Sequence, residues 1–170
     1  SAKSGLGKTM LSQIILTNLD EKKYMARIVL VTPKMSRSAL VAEIASEVGL
    51  LTEGESMSLK NMMTAIQNIA IDLYSQNKKL VLLIDEAQFL TRDQVFQLSD
   101  VTDLLNIPVL AHGLRTDFQG EPFEGSKYLL AWSDNLKELK AICHCGTKAT
   151  MVLRMDADGN AVTEGSQVEI

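Results

Sequence analysis

Apolar positions along the chain follow two rhythms. Over residues 10–19 they recur at Met10, Ile14, Ile15 and Leu19, a spacing that predicts a helix. Residues 58–75 repeat it over a longer run, with Met62, Ile66, Ile69 and Leu73 on one face. Residues 38–48 predict an amphipathic helix stopped by Gly49, and residues 91–105 a further one. Between them stand unbroken apolar runs of strand length: residues 26–32, closed by Pro33, then 80–84 and 108–111. Such runs, without polar alternation, suit strands buried on both faces of a parallel sheet. The order helix–strand–helix–helix–strand–helix–strand predicts an α/β fold with a parallel sheet flanked by helices.

From Gly113 the texture changes. A Gly- and charge-rich loop over 113–127 leads to a short predicted helix over 128–132. After it come Cys143 and Cys145, a predicted strand over 150–154, a turn over 156–160 and a returning strand. This texture divides the chain into a main domain over 1–141 and a small β-rich unit over 142–170.

A length of 170 residues suits one domain of ordinary size and core. Hydrophobic residues make up 46% and charged residues 22%, which excludes a disordered tail, and no apolar run reaches the ~18 residues of a membrane span. A net charge of −4 argues against a surface that coats nucleic acid. Neither nucleic acid nor membrane is therefore an expected partner. Two cysteines one residue apart do not make a disulfide framework, and without an export signal a reducing cytoplasm is the expected setting. The charge is unevenly spread: up to Ile84 there are 10 Lys/Arg against 7 Asp/Glu, and beyond it 7 against 14. All four Phe fall in the second part.

The chemistry begins at the first residues. Ala2, Lys3, Ser4, Gly5, Leu6, Gly7, Lys8 and Thr9 form a phosphate-binding loop with Ala where the first Gly usually stands. Its backbone N–H groups and the following helix N-terminus suit phosphate oxygens. Lys8 would reach the β- and γ-phosphates, and the Thr9 hydroxyl would bind Mg²⁺. The second half of the site lies where the apolar run 80–84 ends in Asp85 and Glu86. Asp85 fits a second Mg²⁺-binding group, and Glu86 a general base on the attacking oxygen. The two motifs together predict a P-loop, RecA-like fold that binds ATP. If water attacks, the protein is an ATPase; if a bound hydroxyl attacks, it is a kinase.

From residue 80 onward the chain closely resembles the type II thymidine kinases in their bacterial form. The resemblance is carried by Asp85-Glu86-Ala87-Gln88-Phe89, Gly113-Leu114-Arg115-Thr116-Asp117-Phe118, Gly120-Glu121-Pro122-Phe123, Gly125-Ser126-Lys127-Tyr128 and Cys143-His144-Cys145-Gly146. It implies transfer of the ATP γ-phosphate to the 5′-hydroxyl of thymidine. Glu86 then matches the family's base and Asp85 its Mg²⁺-linked acid. Phe89, Leu114, Phe118 and Phe123 match positions around the thymine, where a flat base wants aromatic and apolar walls. Arg115 and Asp117 suit partners in a loop salt bridge and are assigned no catalytic role. Cys143 and Cys145 match the first pair of a structural Zn²⁺ site, with His144 a bystander; zinc takes four ligands, so this is half a site. The resemblance also implies a homotetramer.

The front part departs from that family: Ser4 stands where the family usually has Met. Residues 32–36 and the helix ending at Leu50 resemble instead AAA-type ATPases of secretion and transposition, which also write Asp-Glu-Ala-Gln at this point. The alternatives to a kinase are thus an AAA-type ATPase that drives a partner and an inactive, truncated or chimeric nucleotide binder. No strand precedes the phosphate loop and no terminating signal follows residue 167, so a fragment open at both ends is expected. Much of the family's loop over the nucleoside would then be missing, with weak thymidine binding as the consequence.

Overall fold

The computed structural model describes residues 6–51, 57–139, 141–143, 145–149 and 151–167. Its main body runs α1 (Leu6–Asn18), β1 (Tyr24–Leu30), α2 (Arg37–Glu47), α3 (Leu59–Ser75), β2 (Lys79–Asp85), α4 (Arg92–Leu105), β3 (Val109–Ala111) and α5 (Glu124–Trp132). The strands form one parallel sheet in the order β1–β2–β3. In β2 every residue from Leu80 to Asp85 is buried, as expected of a central parallel strand. Its side chains alternate between two apolar layers. Leu80, Leu82 and Ile84 join Val29, Leu40, Ile44, Met62, Ile66, Val95 and Leu98 on the face covered by α2, α3 and α4. Val81 and Leu83 join Ala26, against which Ile15, Leu16 and Leu19 pack from α1 and its end.

Polar side chains fix where the helices start. Ser36 and Ser58 each accept a backbone N–H three residues on, from Ala39 at 3.1 Å and from Asn61 at 3.3 Å. Thr91 and Gln94 form a reciprocal capping box, with Gln94 N–H donating to Thr91 Oγ1 at 3.3 Å and Thr91 N–H to Gln94 Oε1 at 2.8 Å. Gln94 Nε2 also donates to the Met35 carbonyl at 2.9 Å, fastening the loop after β1 to α4. Thr91→Ala removes one half of the box. It is expected to cost about 1 kcal/mol, read as a melting temperature lower by about 2–4 °C in a protein of this size.

Three expectations need correction. Helix α5 starts at Glu124, four residues before the expected start. Gly125 and Ser126 are poor helix formers in isolation, but both are buried here. Glu124 Oε1 accepts the Arg92 backbone N–H at 2.9 Å, which fixes that first turn. Second, α1 starts at Leu6 rather than Met10, so Gly7, Lys8 and Thr9 form its first turn. Third, no strand forms over the described residues 151–154. With Met151 and Leu153 59% and 64% exposed, no neighbouring sheet buries this segment. The chain forms instead a small hairpin of two-residue strands, β4 (Ala141–Ile142) with β5 (Lys148–Ala149), and a bridge between Met155 and Ala161. The Asp156 carboxylate shapes the turn inside that bridge, accepting N–H groups from Asp158 at 3.0 Å and Asn160 at 2.8 Å. These hydrogen bonds, the one from Asn160 first, hold its pKa below the ordinary value. Among the described residues no helix is long and apolar enough to cross a membrane.

Candidate active site

All three strands end at one level. Leu30 pairs with Asp85 and Ile84 with Ala111, and the C-terminal edge of a parallel sheet is where α/β proteins bind ligands. The ladder runs one step further on each side of β2. Val31 N–H donates to the Asp85 carbonyl at 3.0 Å, and His112 N–H to the Ile84 carbonyl at 2.8 Å.

Asp85 is 1% exposed. Its Oδ1 accepts the Glu86 N–H at 2.9 Å, while Oδ2 has no hydrogen-bond partner among the described residues. A buried carboxylate oxygen without a donor is costly. A hard cation is a fitting partner for it, since Mg²⁺ prefers oxygen ligands. His112 follows β3 directly, and its Nε2 is likewise buried and unpaired among the described residues. Burial lowers the His112 pKa, and the opposing pull of the Asp85 charge recovers only part of the shift.

Glu86 takes the left-handed backbone conformation, φ 54° and ψ 36°, between the strand end and a 3-10 turn over Ala87–Phe89. For a residue with a Cβ this conformation costs on the order of 1 kcal/mol and is held by its surroundings. Two of the contacts that hold it are the Asp85 Oδ1 bond to its N–H and a hydrogen bond from Gln88 Nε2 to its Oε2. Gln88 Oε1 in turn accepts the Leu114 N–H at 3.1 Å. On its other side Leu114 offers its carbonyl to Ser126 Oγ at 2.6 Å.

The expected nucleoside residues divide into two groups. Phe89 and Phe123 meet edge to face, centroids 5.9 Å apart at 83°, and Leu114 is tied to the Glu86 turn through Gln88. Phe118 has another partner: the Arg154 guanidinium lies 3.9 Å from its ring centroid. Arg154 also donates to the Ser166 carbonyl at 3.0 Å, and Gln119 Nε2 to the Thr163 carbonyl at 3.1 Å, so residues 151–167 rest on the Phe118 loop. The expected Arg115–Asp117 salt bridge is absent among the described residues. Asp117 is buried, and its Oδ1 accepts the N–H groups of Gln119 at 2.8 Å and Glu121 at 2.9 Å, closing the loop instead.

Ala2, Lys3, Ser4 and Gly5 lie outside the described residues, as do the side chains of Leu6, Lys8 and Thr9, and His144. Cys143 is half-buried and Cys145 exposed, on one tight turn closed by Cys143 N–H to the Thr147 carbonyl at 2.8 Å. Hydrogen bonding with Thr147, its hydroxyl first, brings the Cys145 thiol down to about 7. Among the described residues no group of three or more His, Cys, Asp and Glu could hold a metal.

The sequence alone assigns no site role to Gln88, His112, Gly113 or Gly125. A Cβ at Gly113 would come within 2.7 Å of Gln88 Oε1, and one at Gly125 within 2.6 Å of the Ala87 carbonyl oxygen. The available signal was a Gln amid Ala87, Phe89 and Leu90, with a glycine at each later crossing.

A carboxylate pair at the C-terminal end of a central parallel strand defines an α/β protein with a candidate ligand site at that edge of the sheet. Comparison with known proteins narrows the class. The family model for thymidine kinase matches residues 5–169, across both parts of the chain. A thymidine kinase of Xanthomonas axonopodis pv. citri is 49% identical over 144 residues, 85% of this chain and 68% of that protein. One of Vibrio vulnificus is 50% identical over 144 residues, 82% of this chain and 73% of that protein. One of Vibrio cholerae is 51% identical over 130 residues, 76% of this chain and 66% of that protein. The chain thus spans about two thirds of the length of these relatives. Among solved structures, the Aeropyrum pernix ORC2 protein in ADPNP and ADP complexes superposes with a TM-score of 0.51 at 13% identity, covering 78% of this chain and 36% of that one. That likeness concerns the fold alone. The chain belongs to the thymidine kinase family, a family of ATP-dependent nucleoside kinases.

Proposed function

We propose that this chain is the kinase part of a protein that transfers the ATP γ-phosphate to the 5′-hydroxyl of thymidine, giving dTMP and ADP. The observation that carries this reading is the hydrogen-bonded link from Glu86 through Gln88 to Leu114. It joins a carboxylate at the phosphate end of the sheet to a loop that leads to Phe123, whose ring meets Phe89. In this reading Glu86 takes the 5′-hydroxyl proton while that oxygen bonds to the γ-phosphorus and the bond to ADP breaks. Phe89, Leu114, Phe118 and Phe123 wall the thymine. Ala2, Lys3, Ser4, Gly5, Leu6 and Gly7 surround the phosphates with backbone N–H groups, and Lys8 adds a positive charge.

Asp85 and Thr9 would hold Mg²⁺, which when bound neutralises phosphate charge. The buried Oδ2 of Asp85, without a hydrogen-bond partner among the described residues, supports that role. Cys143 and Cys145 would give two of the four ligands of a structural Zn²⁺, and their place on one turn, with a lowered Cys145 pKa, supports it. A boundary near residue 141, a cytoplasmic setting and a homotetramer belong to the same reading. The test is ADP formation by the full-length protein with ATP and Mg²⁺. ADP appearing only when thymidine is present is the expected result; ADP formed equally without thymidine would overturn the reading in favour of a plain ATPase.

A further inference from the structure

Gln88 is 2% exposed, so both ends of its amide must find partners inside the protein. They do. A backbone N–H can only donate, so the bond from Leu114 fixes which end of the amide is oxygen, and the NH₂ is left for Glu86 Oε2. A residue needed only to fill this space could be apolar. A residue that must accept from one element and donate to another has to be an amide. The close approach is built in on the other side as well. Gly113 lies where a Cβ would stand 2.7 Å from Gln88 Oε1 and 2.9 Å from Gln88 N. Ala87 N–H donates to the His112 carbonyl at 2.8 Å, which brings the segment before Gly113 against the same turn.

A general base acts only within about 2.6–3.2 Å of the proton it takes. A glutamate side chain has enough rotamers to leave that range unless it is held. Resting on the proposed role of Glu86 as base, we propose that Gln88 is a positioning residue that aims the Glu86 carboxylate and sets its place from the nucleoside-side loop at Leu114. One amide thus fixes the distance between the base and the wall that seats the nucleoside. The carboxylate is in register with the 5′-hydroxyl when the loop is seated.

The test uses Gln88→Glu, Gln88→Met and Glu86→Gln in the full-length protein, with kcat and KM for thymidine measured separately and the melting temperature followed for each. Gln88→Glu keeps an acceptor for the Leu114 N–H and puts a second carboxyl against Glu86 in place of the amide donor. Its kcat is expected to fall about 10- to 100-fold, the usual penalty for a displaced catalytic group. KM for thymidine should stay within about 3-fold, because the loop anchor remains. Gln88→Met loses both bonds, so kcat falls and KM rises together; it also serves if the buried charge of Gln88→Glu prevents folding. A folded Gln88→Glu or Gln88→Met protein with the parent kcat would overturn the inference while leaving the base assignment intact, provided that Glu86→Gln is inactive. A fully active Glu86→Gln protein would overturn both.

Discussion

Glu86→Gln is expected to lower thymidine phosphorylation by about a hundred- to ten-thousand-fold, the range over which a positioned base contributes. ATP binding should be unchanged. The amide is nearly the same size as the carboxylate, and its oxygen can still accept from Gln88 Nε2, so the turn over Ala87–Phe89 keeps its hydrogen bond. Asp85 Oδ1 continues to accept the N–H of residue 86. What is lost is the negative charge and the basicity of the carboxylate. Thymidine-dependent ADP release and a calorimetric titration with ATP separate the two effects. Turnover at the parent rate would show that another group takes the proton.

The second large effect is on stability. Gly125→Ala places a methyl group 2.6 Å from the Ala87 carbonyl oxygen, 2.7 Å from that of Leu90 and 3.0 Å from that of Gln88. These are backbone atoms, so no flexible side chain can swing aside. Within a helix Ala is better than Gly by about 1 kcal/mol, whereas forcing extra volume into a packed site costs typically about 1–3 kcal/mol and occasionally more. Three overlaps with backbone put this case at the upper end, and overpacking wins. A loss of about 2 kcal/mol corresponds to a melting temperature lower by about 4–8 °C. Activity should fall with it, because the displaced turn carries Gln88. A melting temperature equal to or above the parent's would mean that the turn yields and the helix gain prevails.

The central sheet was readable because its signals are local. The run 80–84 is apolar without alternation, and it became the strand buried on both faces, packed against both apolar layers. The long helix with Met62 and Ile66 on its inner face formed as its spacing predicts, and Ser58 caps it. Boundaries shifted where tertiary contacts overrule propensity. Gly125 and Ser126 read as loop, yet they begin α5 because the turn beneath tolerates no side chain at 125. The stretch around 150–154 reads as strand, but Arg154 turns to Phe118 and to the carbonyl of Ser166 instead of a neighbouring strand.

The site was legible as residue types and not as connections. Asp85 and Glu86 announce themselves at the end of an apolar strand. Gln88 does not, because its meaning depends on Leu114, 26 residues later. Asp117 is a second case. A charge beside Arg115 suggests an ion pair, whereas the loop closes by bringing two N–H groups to one oxygen. The zinc role proposed for the cysteine pair has the same difficulty, since a metal site is defined by residues brought together from separate segments.

The left-handed turn at Glu86 sets two kinds of selection against each other. Asparagine or glycine would occupy that backbone more comfortably, so any search for sturdier sequences scored by folding alone drifts toward them. Each step in that direction removes the carboxylate proposed to do the chemistry. On the proposed role of Glu86, glutamate at this position is kept by the chemistry and opposed by how the chain folds. Variants selected first for thermal resistance and then assayed for turnover should reveal that conflict here sooner than at Leu82 or Ile84, where folding and function ask for the same residue.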